Sequence, residues 1–241
     1  KLRLLHSGSY EEERGAVDMN AIEIRELHKS FGTKEAVKGL NLVIGHHELF
    51  GLLGVNGAGK TTTIRMICCL LKPTSGDILV EGMSVMENEA QVKKLINLSP
   101  QETTVAEGLT VKENLQLMAG LYGLEPERAS SNVERIIKDF NLEEIAGDKA
   151  KTLSGGWKRR LSIAMALVTE PEILFLDEPT LGLDVIARRE LWETIRKLKS
   201  AMTIVLTTHY LEEAEALCDR IAAMSKGKLM ALGTAEELKT Q

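Results

Sequence analysis

Residues 54–61 read Gly54-Val55-Asn56-Gly57-Ala58-Gly59-Lys60-Thr61. This stretch matches the phosphate-loop pattern of a glycine, four residues, a glycine-lysine pair, and a serine or threonine. In such a loop, glycines let backbone N–H groups turn inward around an anion, the lysine reaches the β- and γ-phosphates of a nucleotide, and the hydroxyl is placed to ligate Mg²⁺. The sequence therefore predicts a phosphate-binding loop in which Lys60 and Thr61 have these two roles.

The residues on either side of the loop fit the same interpretation. Residues 48–53 form a short apolar run of buried-strand length, and residues 61–71 suit a helix whose N-terminus points at the phosphates. The alternative is a glycine-rich turn that joins a strand to a helix without binding a ligand. The order of strand, glycine loop and helix favours the phosphate loop.

The composition bounds the class of protein. With 241 residues, 44% of them hydrophobic, the chain is long enough for one large domain with a sizeable core. No apolar run approaches the roughly 20 residues of a membrane span and no signal-peptide pattern begins the chain, so a soluble protein is expected. Three cysteines, two of them adjacent, do not suggest a disulfide framework and suit a reducing cytosol. The net charge of −5 predicts no nucleic-acid partner, although a local basic patch at residues 158–160 is left open.

The first part of the chain is expected to hold a leader and a small sheet. Residues 1–18 are polar, lack a sustained periodicity and are expected to be a vector-derived or disordered leader, which leaves one domain at residues 19–241. Two β segments at residues 22–28 and 36–44 predict a small antiparallel sheet beside the nucleotide domain. Phe31, in their connection, either stacks on an adenine ring or packs on the core.

The middle of the chain predicts a strand, a helical insert and a second anion-binding turn. Gln101 follows a strand predicted at residues 95–98, on the side of an open α/β sheet where ligands bind, unless it is a solvated loop residue. Two helices follow, one opened by Thr110 with Glu113 as a capping box and one that starts at Pro126. Residues 153–156, Leu-Ser-Gly-Gly, then precede another helix and form a second possible anion-binding helix N-terminus.

The last third of the chain supplies acidic residues and a histidine. A buried strand at residues 173–176 ends at Asp177 and Glu178, where one carboxylate is expected to hold Mg²⁺ and its neighbour to orient the attacking water. The alternative is two acids that merely end a strand. A helix at residues 185–200 and a strand at residues 202–207 repeat the βαβ rhythm, which predicts an α/β fold. His209 at the end of that strand can hydrogen-bond a phosphate oxygen, whereas a lone histidine is more often structural.

With these motifs in this order, the sequence resembles the nucleotide-binding subunits of ATP-binding cassette (ABC) transporters, from about Met19 to the C-terminus. The run at residues 208–215 most resembles the drug- and ion-exporting, ABC-2 type branch. The resemblance implies an ABC ATPase fold: an α/β P-loop NTPase core with a mostly parallel sheet, an N-terminal antiparallel β subdomain, and an α-helical insert at about residues 102–160. It also implies ATP and Mg²⁺ as the bound groups.

The resemblance assigns roles to residues at the matching positions. The nucleotide-binding residues are expected to be Phe31, Gly54, Asn56, Gly57, Ala58, Gly59, Lys60, Thr61 and Thr62. The metal-binding residues are expected to be Thr61, Gln101 and Asp177. The catalytic residues are expected to be Glu178 as base, His209 as γ-phosphate switch, and Gln101 in the loop that links ATP to the membrane partner. The signature Ser154, Gly155 and Gly156 is expected to touch ATP across a dimer, with Asp184 in crosstalk between the two sites.

The implied function is ATP hydrolysis that drives transport through a separate transmembrane permease, by ATP-dependent pairing with a second ATPase subunit, identical or related. The chain is then expected in the cytoplasm, peripheral on the inner face of the cell membrane. A soluble ABC ATPase in assembly or nucleic-acid transactions is the alternative with the same site. A GTP switch is disfavoured because the chain has no Asn-Lys-X-Asp guanine-reading motif.

Overall fold

The structure, a computed structural model, describes residues 20–240. The predicted leader at residues 1–18 lies outside this range. Within it the strands are β1 (Ile22–Phe31), β2 (Lys34–Ile44), β3 (Leu49–Leu53), β4 (Ser75–Val80), β5 (Met83–Ser84), β6 (Ile96–Ser99), β7 (Ile173–Asp177), β8 (Thr203–Thr208), β9 (Arg220–Ser225) and β10 (Lys228–Gly233). The helices are α1 (Lys60–Ile67), α2 (Glu89–Leu95), α3 (Val111–Leu121), α4 (Pro126–Asp139), α5 (Gly155–Leu167), α6 (Val185–Leu198), α7 (Leu211–Leu217) and α8 (Ala235–Lys239).

A six-stranded sheet forms the centre of the molecule, in the order β10-β9-β3-β8-β7-β6. Its five neighbouring strands from β9 to β6 pair in parallel, and only β10 is antiparallel to its neighbour. Because parallel strands end at the same edge, the residues that follow β3, β6, β7 and β8 lie along one side of the sheet. The predicted α/β class with a mostly parallel sheet is confirmed.

A second sheet of four strands, in the order β2-β1-β4-β5, is antiparallel throughout. The predicted antiparallel pairing of the two segments, β1 and β2, is confirmed, but both strands extend further than the pattern indicated. They pair as far as Phe31 and Lys34, around a turn in which Gly32 has φ 57°. The polar connection between the predicted strands is therefore mostly strand, because Lys29, Ser30 and Phe31 pair with residues of β2.

Two hydrophobic cores lie on opposite faces of the central sheet. In β7, Phe175 belongs to the core that α1 and the antiparallel sheet cover, whereas its neighbours Leu174 and Leu176 belong to the core beneath α3 to α6. This alternation follows from the two-residue period of a strand. All three side chains are fully buried, as expected for a parallel strand covered on both faces.

The helical segment begins as its sequence predicts. Thr110 caps α3 by accepting a hydrogen bond from the Glu113 backbone N–H, and the Glu113 carboxylate accepts one from the Thr110 backbone N–H. The first helix, α1, is shorter than predicted and ends at Ile67, because Cys69 takes a left-handed φ of 55°, which a right-handed helix does not accommodate. None of the helices between residues 20 and 240 combines the length and apolarity that a membrane crossing requires.

Candidate functional site

The predicted phosphate loop connects the end of β3 to the start of α1. Gly57 and Gly59 have positive φ values of 82° and 108°, which side chains other than glycine rarely adopt. A Cβ at Gly59 would lie 2.8 Å from the Ala36 carbonyl oxygen, whereas one at Gly57 would meet no atom within 4 Å. The loop is therefore packed against the protein at Gly59 and open to a ligand at Gly57.

Lys60 opens α1 and is buried, with a side-chain exposure of 5%. Its Nζ donates a hydrogen bond of 2.7 Å to the Gly54 carbonyl and lies 3.2 Å from Glu178 Oε1. The ammonium is thus folded back over its own loop, and it pairs with the carboxylate of Glu178, the residue that follows β7. Such a charge has partners in the protein and is placed beside the open cradle that a phosphate would fill.

Glu178 follows β7 in a strained backbone conformation, with φ 49°. Its backbone N–H donates to the Thr207 hydroxyl at 3.0 Å, which fixes the residue against β8. Its second carboxylate oxygen, Oε2, lies 2.7 Å from His209 Nδ1. A non-glycine residue in the left-handed region is costly, and the surrounding hydrogen bonds hold it there, as is common at functional sites.

Thr61 and Asp177 lie together at the base of the loop. The Thr61 hydroxyl donates to Asp177 Oδ1 at 3.1 Å, and the Thr207 hydroxyl donates to the same oxygen at 2.5 Å. A hydroxyl and a carboxylate are hard oxygen ligands of the kind that Mg²⁺ prefers, and Mg²⁺ characteristically binds one or two side chains together with waters and substrate phosphates. The donor set fits that ion.

A cleft of about 260 Å³ opens over these groups. It is lined by Asn56, Gly57, Ala58, Gly59, Lys60, Thr61, Thr62, Gln101 and Glu178. The residues come from three separate stretches of the chain that the parallel strands bring to one edge of the sheet. The structure therefore brings the phosphate loop, Gln101 and Glu178 into a single polar cleft.

Other predicted site residues lie outside that cleft. Ser154 caps α5, accepting a hydrogen bond of 3.4 Å from the Trp157 backbone N–H, and Gly155 has open space around its Cα. A Cβ at Gly156 would lie 3.3 Å from that of Ala187, so the signature adjoins the N-terminus of α6. There the exposed Asp184 caps the helix, accepting two hydrogen bonds of 2.9 Å. Phe31 is 49% exposed, with the Lys29 ammonium 5.1 Å from its ring.

The structure rejects the basic patch that the sequence left open at residues 158–160. Arg159 and Arg160 are buried, and the remaining cation, Lys158, pairs with Glu107 at 2.8 Å. Sequence reasoning missed Arg159 as a residue of the site. Its guanidinium donates hydrogen bonds to the backbone carbonyls of Pro100, Gln101 and Asp177. Three consecutive cations in a helix that also has Trp157 and Leu161 on one stripe cannot all face the solvent, and this is the one signal that points to Arg159.

Comparison with known proteins gives a consistent result. The family model described as "ABC transporter" matches residues 37–181. The chain is 42% identical over 228 residues to the probable multidrug ABC transporter ATP-binding protein YbhF of Escherichia coli, and 41% identical over 218 residues to the linearmycin resistance ATP-binding protein LnrL of Bacillus subtilis. These matches cover 94% and 90% of this chain. The chain spans 39% of the length of YbhF and 70% of the length of LnrL.

A solved structure has the same fold. CbiO1 from Clostridium perfringens, described as part of the ABC transporter complex CbiONQ, superposes with a TM-score of 0.85. It is 26% identical to this chain, and the match covers 92% of this chain and 91% of CbiO1.

Proposed function

This chain belongs to the ABC transporter family, and from that premise we propose that it binds and hydrolyses ATP to drive transport through a separate membrane permease. The descriptions of YbhF and CbiO1 as transporter components support this function over a soluble ABC ATPase in assembly or nucleic-acid transactions. The resistance named for LnrL and the multidrug transport named for YbhF support export as the direction.

The observation that carries the proposal is the meeting of Lys60, Glu178 and Gln101 in one cleft that is open at Gly57. Phosphates of ATP fit in the loop, where backbone N–H groups and the N-terminus of α1 favour negative charge. The Lys60 ammonium, which now bonds Gly54 and Glu178, has the β- and γ-phosphate oxygens as its partners when nucleotide is present.

That exchange of partners gives Glu178 its role. Once Lys60 pairs with phosphate, Glu178 Oε1 is free to accept a hydrogen bond from the attacking water, while Oε2 keeps its contact with His209. His209 holds the carboxylate and points the pair toward the γ-phosphate. Catalysis of phosphoryl transfer depends mainly on positioning and charge stabilisation of this kind.

The metal of the proposed reaction is Mg²⁺, which Thr61 and Asp177 would hold, with Gln101 on the lining of the same cleft. When bound, it neutralises charge on the phosphates. The hydrogen bond between Thr61 and Asp177 at 3.1 Å and the anchoring of Asp177 by Thr207 support this assignment. Hydrogen bonds of that type orient a ligating side chain before the ion arrives.

The signature completes the site from a second subunit. Ser154 and Gly155 are exposed at the N-terminus of α5 and do not line the cleft of their own chain. In a two-fold pair, each ATP lies between the phosphate loop of one chain and the signature of the other. Asp184 and the exposed apolar residues Val185 and Ile186 lie beside the signature on the same face and form the seam of this pair.

The permease docks on an apolar groove beside the Gln101 loop. The groove has a volume of about 430 Å³ and is lined mainly by apolar side chains of α1's end, β6 and α3. Its rim carries Leu70 and Tyr122, which are 61% and 50% exposed, and Pro100 directly precedes Gln101 on its wall. A short cytoplasmic helix of the permease with apolar anchors fits such a groove, and this contact holds the subunit at the inner face of the cell membrane.

The test of the proposed function is phosphate release from ATP by the purified chain and by Lys60→Ala. The unmodified chain is expected to hydrolyse ATP, and Lys60→Ala to bind it weakly with no measurable turnover, because the only lysine of the cleft is removed. Lys228→Ala, which alters an exposed lysine on β10, is the matched control and should hydrolyse ATP normally. Equal phosphate release from Lys60→Ala and the unmodified chain would refute the assignment.

A further inference from the structure

Arg159 is a buried cation that the proposed reaction does not use. It lies in the second turn of α5 with an exposure of 3%, and its guanidinium donates to four backbone carbonyls. Nε donates to Pro179 O and Nη2 to Asp177 O, both at 2.8 Å. Nη1 donates to Pro100 O at 2.5 Å and to Gln101 O at 3.4 Å. One side chain thus joins the Gln101 loop to both sides of the catalytic Glu178.

Among the described residues, this guanidinium forms no salt bridge with a carboxylate. Burial lowers the pKa of Arg159 to about 10, while the carboxylates of Asp177 and Glu213 act to raise it. The side chain therefore remains a cation at neutral pH. Its hydrogen bonds all go to carbonyl oxygens, so it acts on the backbone of the two loops and leaves the catalytic carboxylate free.

The turn after β7 is also held from its other side. Glu213 of α7 is 1% exposed, and its Oε1 accepts hydrogen bonds from the Thr180 hydroxyl at 2.7 Å and from the Trp192 indole N–H at 3.1 Å. Residues 177–180 are therefore held by two kinds of hydrogen bond. Arg159 donates to backbone carbonyls of this turn, and Glu213 accepts from the Thr180 side chain. Gln101 and the three residues after it are exposed, and the next side-chain anchor along this loop among the described residues is Asn114, which bonds the N–H and the carbonyl of Ala106. Arg159 is thus placed to set where that loop lies.

The position of Arg159 in its helix adds a second connection. It lies five residues after Ser154, the N-cap of α5, on the same rigid helix as the signature. A displacement of the Gln101 loop that pulled on the guanidinium would move that helix and its N-terminus with it. A planar fork with several fixed N–H groups suits this task, which a flexible single ammonium does not.

We propose that Arg159 is a positioning residue. It fixes the Gln101 loop against the turn at residues 177–180, which carries Glu178, and it couples that loop to the signature at the N-terminus of α5. The inference rests on the proposed function, since it supplies the geometry for ATP hydrolysis at Glu178. It assigns no contact with ATP to Arg159 itself. Its loss should therefore lower turnover more than ATP affinity.

The test compares Arg159→Gln with Arg160→Gln. The second variant is matched to the first, since Arg160 is the next residue of α5 and also buried, but its guanidinium bonds Glu190 of α6 at 2.7 Å instead of the loops. In Arg159→Gln, cleavage after Glu102 by a glutamate-specific protease is expected to become about tenfold faster, because the loop opens locally. In Arg160→Gln it should stay at the level of the unmodified chain.

The kinetic arm uses Arg159→Gln, Gln101→Ala and the double variant. A misplaced loop is expected to lower kcat about tenfold or more with the KM for ATP within about twofold. If Arg159 acts through the Gln101 loop, the double variant should lose no more than the worse single variant. A merely structural arginine would instead lower the melting temperature and multiply the losses.

Each result decides one claim. Unchanged cleavage after Glu102, a normal kcat for Arg159→Gln, or losses that multiply in the double variant would overturn the inference. If Arg159→Gln does not fold, Arg159→Lys replaces it with the same expectations, because the three N–H groups of one ammonium cannot make all four hydrogen bonds of the guanidinium. Absence of hydrolysis by the unmodified chain would count against the proposed function, and the cleavage measurement would still decide the role of Arg159.

Discussion

His209 Nδ1 lies 2.7 Å from Glu178 Oε2, and this contact joins the residue after β8 to the residue after β7. The other oxygen of the same carboxylate, Oε1, lies 3.2 Å from Lys60 Nζ. Glu178 is thereby fixed by a histidine on one side and by the phosphate-loop lysine on the other. In the proposed reaction a bound phosphate competes with Glu178 for Lys60, and we expect His209 to keep the carboxylate oriented during that exchange.

His209→Ala should separate the orientation of the Glu178 carboxylate from the binding of ATP. We expect kcat for ATP hydrolysis to fall about 100-fold, since a group that positions a general base contributes on that scale, and the KM for ATP to change little. His46→Ala, an exposed histidine after β2, is the control and should behave as the unmodified chain. An equally active His209→Ala would show that the 2.7 Å contact has no part in turnover.

The proposed Mg²⁺ site predicts a specific metal dependence. Thr61→Val removes the hydroxyl but keeps the shape of the side chain, and it should raise the Mg²⁺ concentration for half-maximal hydrolysis by about tenfold or more. Thr33→Val, in the exposed turn between β1 and β2, serves as the control. EDTA should abolish hydrolysis by every variant. Hydrolysis that continues in EDTA would remove the metal from the mechanism.

The proposed docking groove predicts that one substitution can abolish binding to the permease and leave the ATPase activity intact. Leu121 lies at the end of α3 beside the groove and is 70% exposed, so Leu121→Glu should not disturb the core. Co-expressed with its membrane permease, the variant should no longer fractionate with membranes, while its ATPase activity in isolation stays unchanged. Met230→Glu, which places the same charge on the exposed strand β10, should remain membrane-bound. Membrane recruitment of Leu121→Glu would move the docking face elsewhere.

The sequence predicts those parts of the site that depend on local chemistry. The phosphate loop needs glycines at fixed positions, and the strand before Asp177 is apolar because both of its faces are buried. The capping box at Thr110 and Glu113 is likewise a local signal, and it forms as expected. Such features are visible because the residues that cause them are close together in the chain.

The features that sequence reasoning missed depend on contacts between distant residues. Arg159 reads as part of a basic patch, but it is buried because carbonyls 18 to 59 residues away in the chain accept its hydrogen bonds. Helix α7 has only seven residues and three glutamates, and its Glu213 is buried because Thr180 and Trp192 bond it. Neither set of partners can be inferred from periodicity, since a buried charge is specified by the fold around it.

We expect ATP to be bound between the phosphate loop of one chain and the signature of another. Glu178→Gln removes the charge that orients the attacking water while it preserves the size of the side chain, so ATP should stay bound and intact. Adding Ser154→Arg to this variant should prevent pairing, because the larger side chain fills the seam that faces the phosphates.

The most direct measurement is the mass of Glu178→Gln by size exclusion with light scattering, in saturating ATP with Mg²⁺ and again in ADP. We expect twice the mass of one chain in ATP, the mass of one chain in ADP, and the mass of one chain in both nucleotides for Glu178→Gln with Ser154→Arg. A Glu178→Gln protein that binds ATP and keeps the mass of a single chain would contradict the shared site.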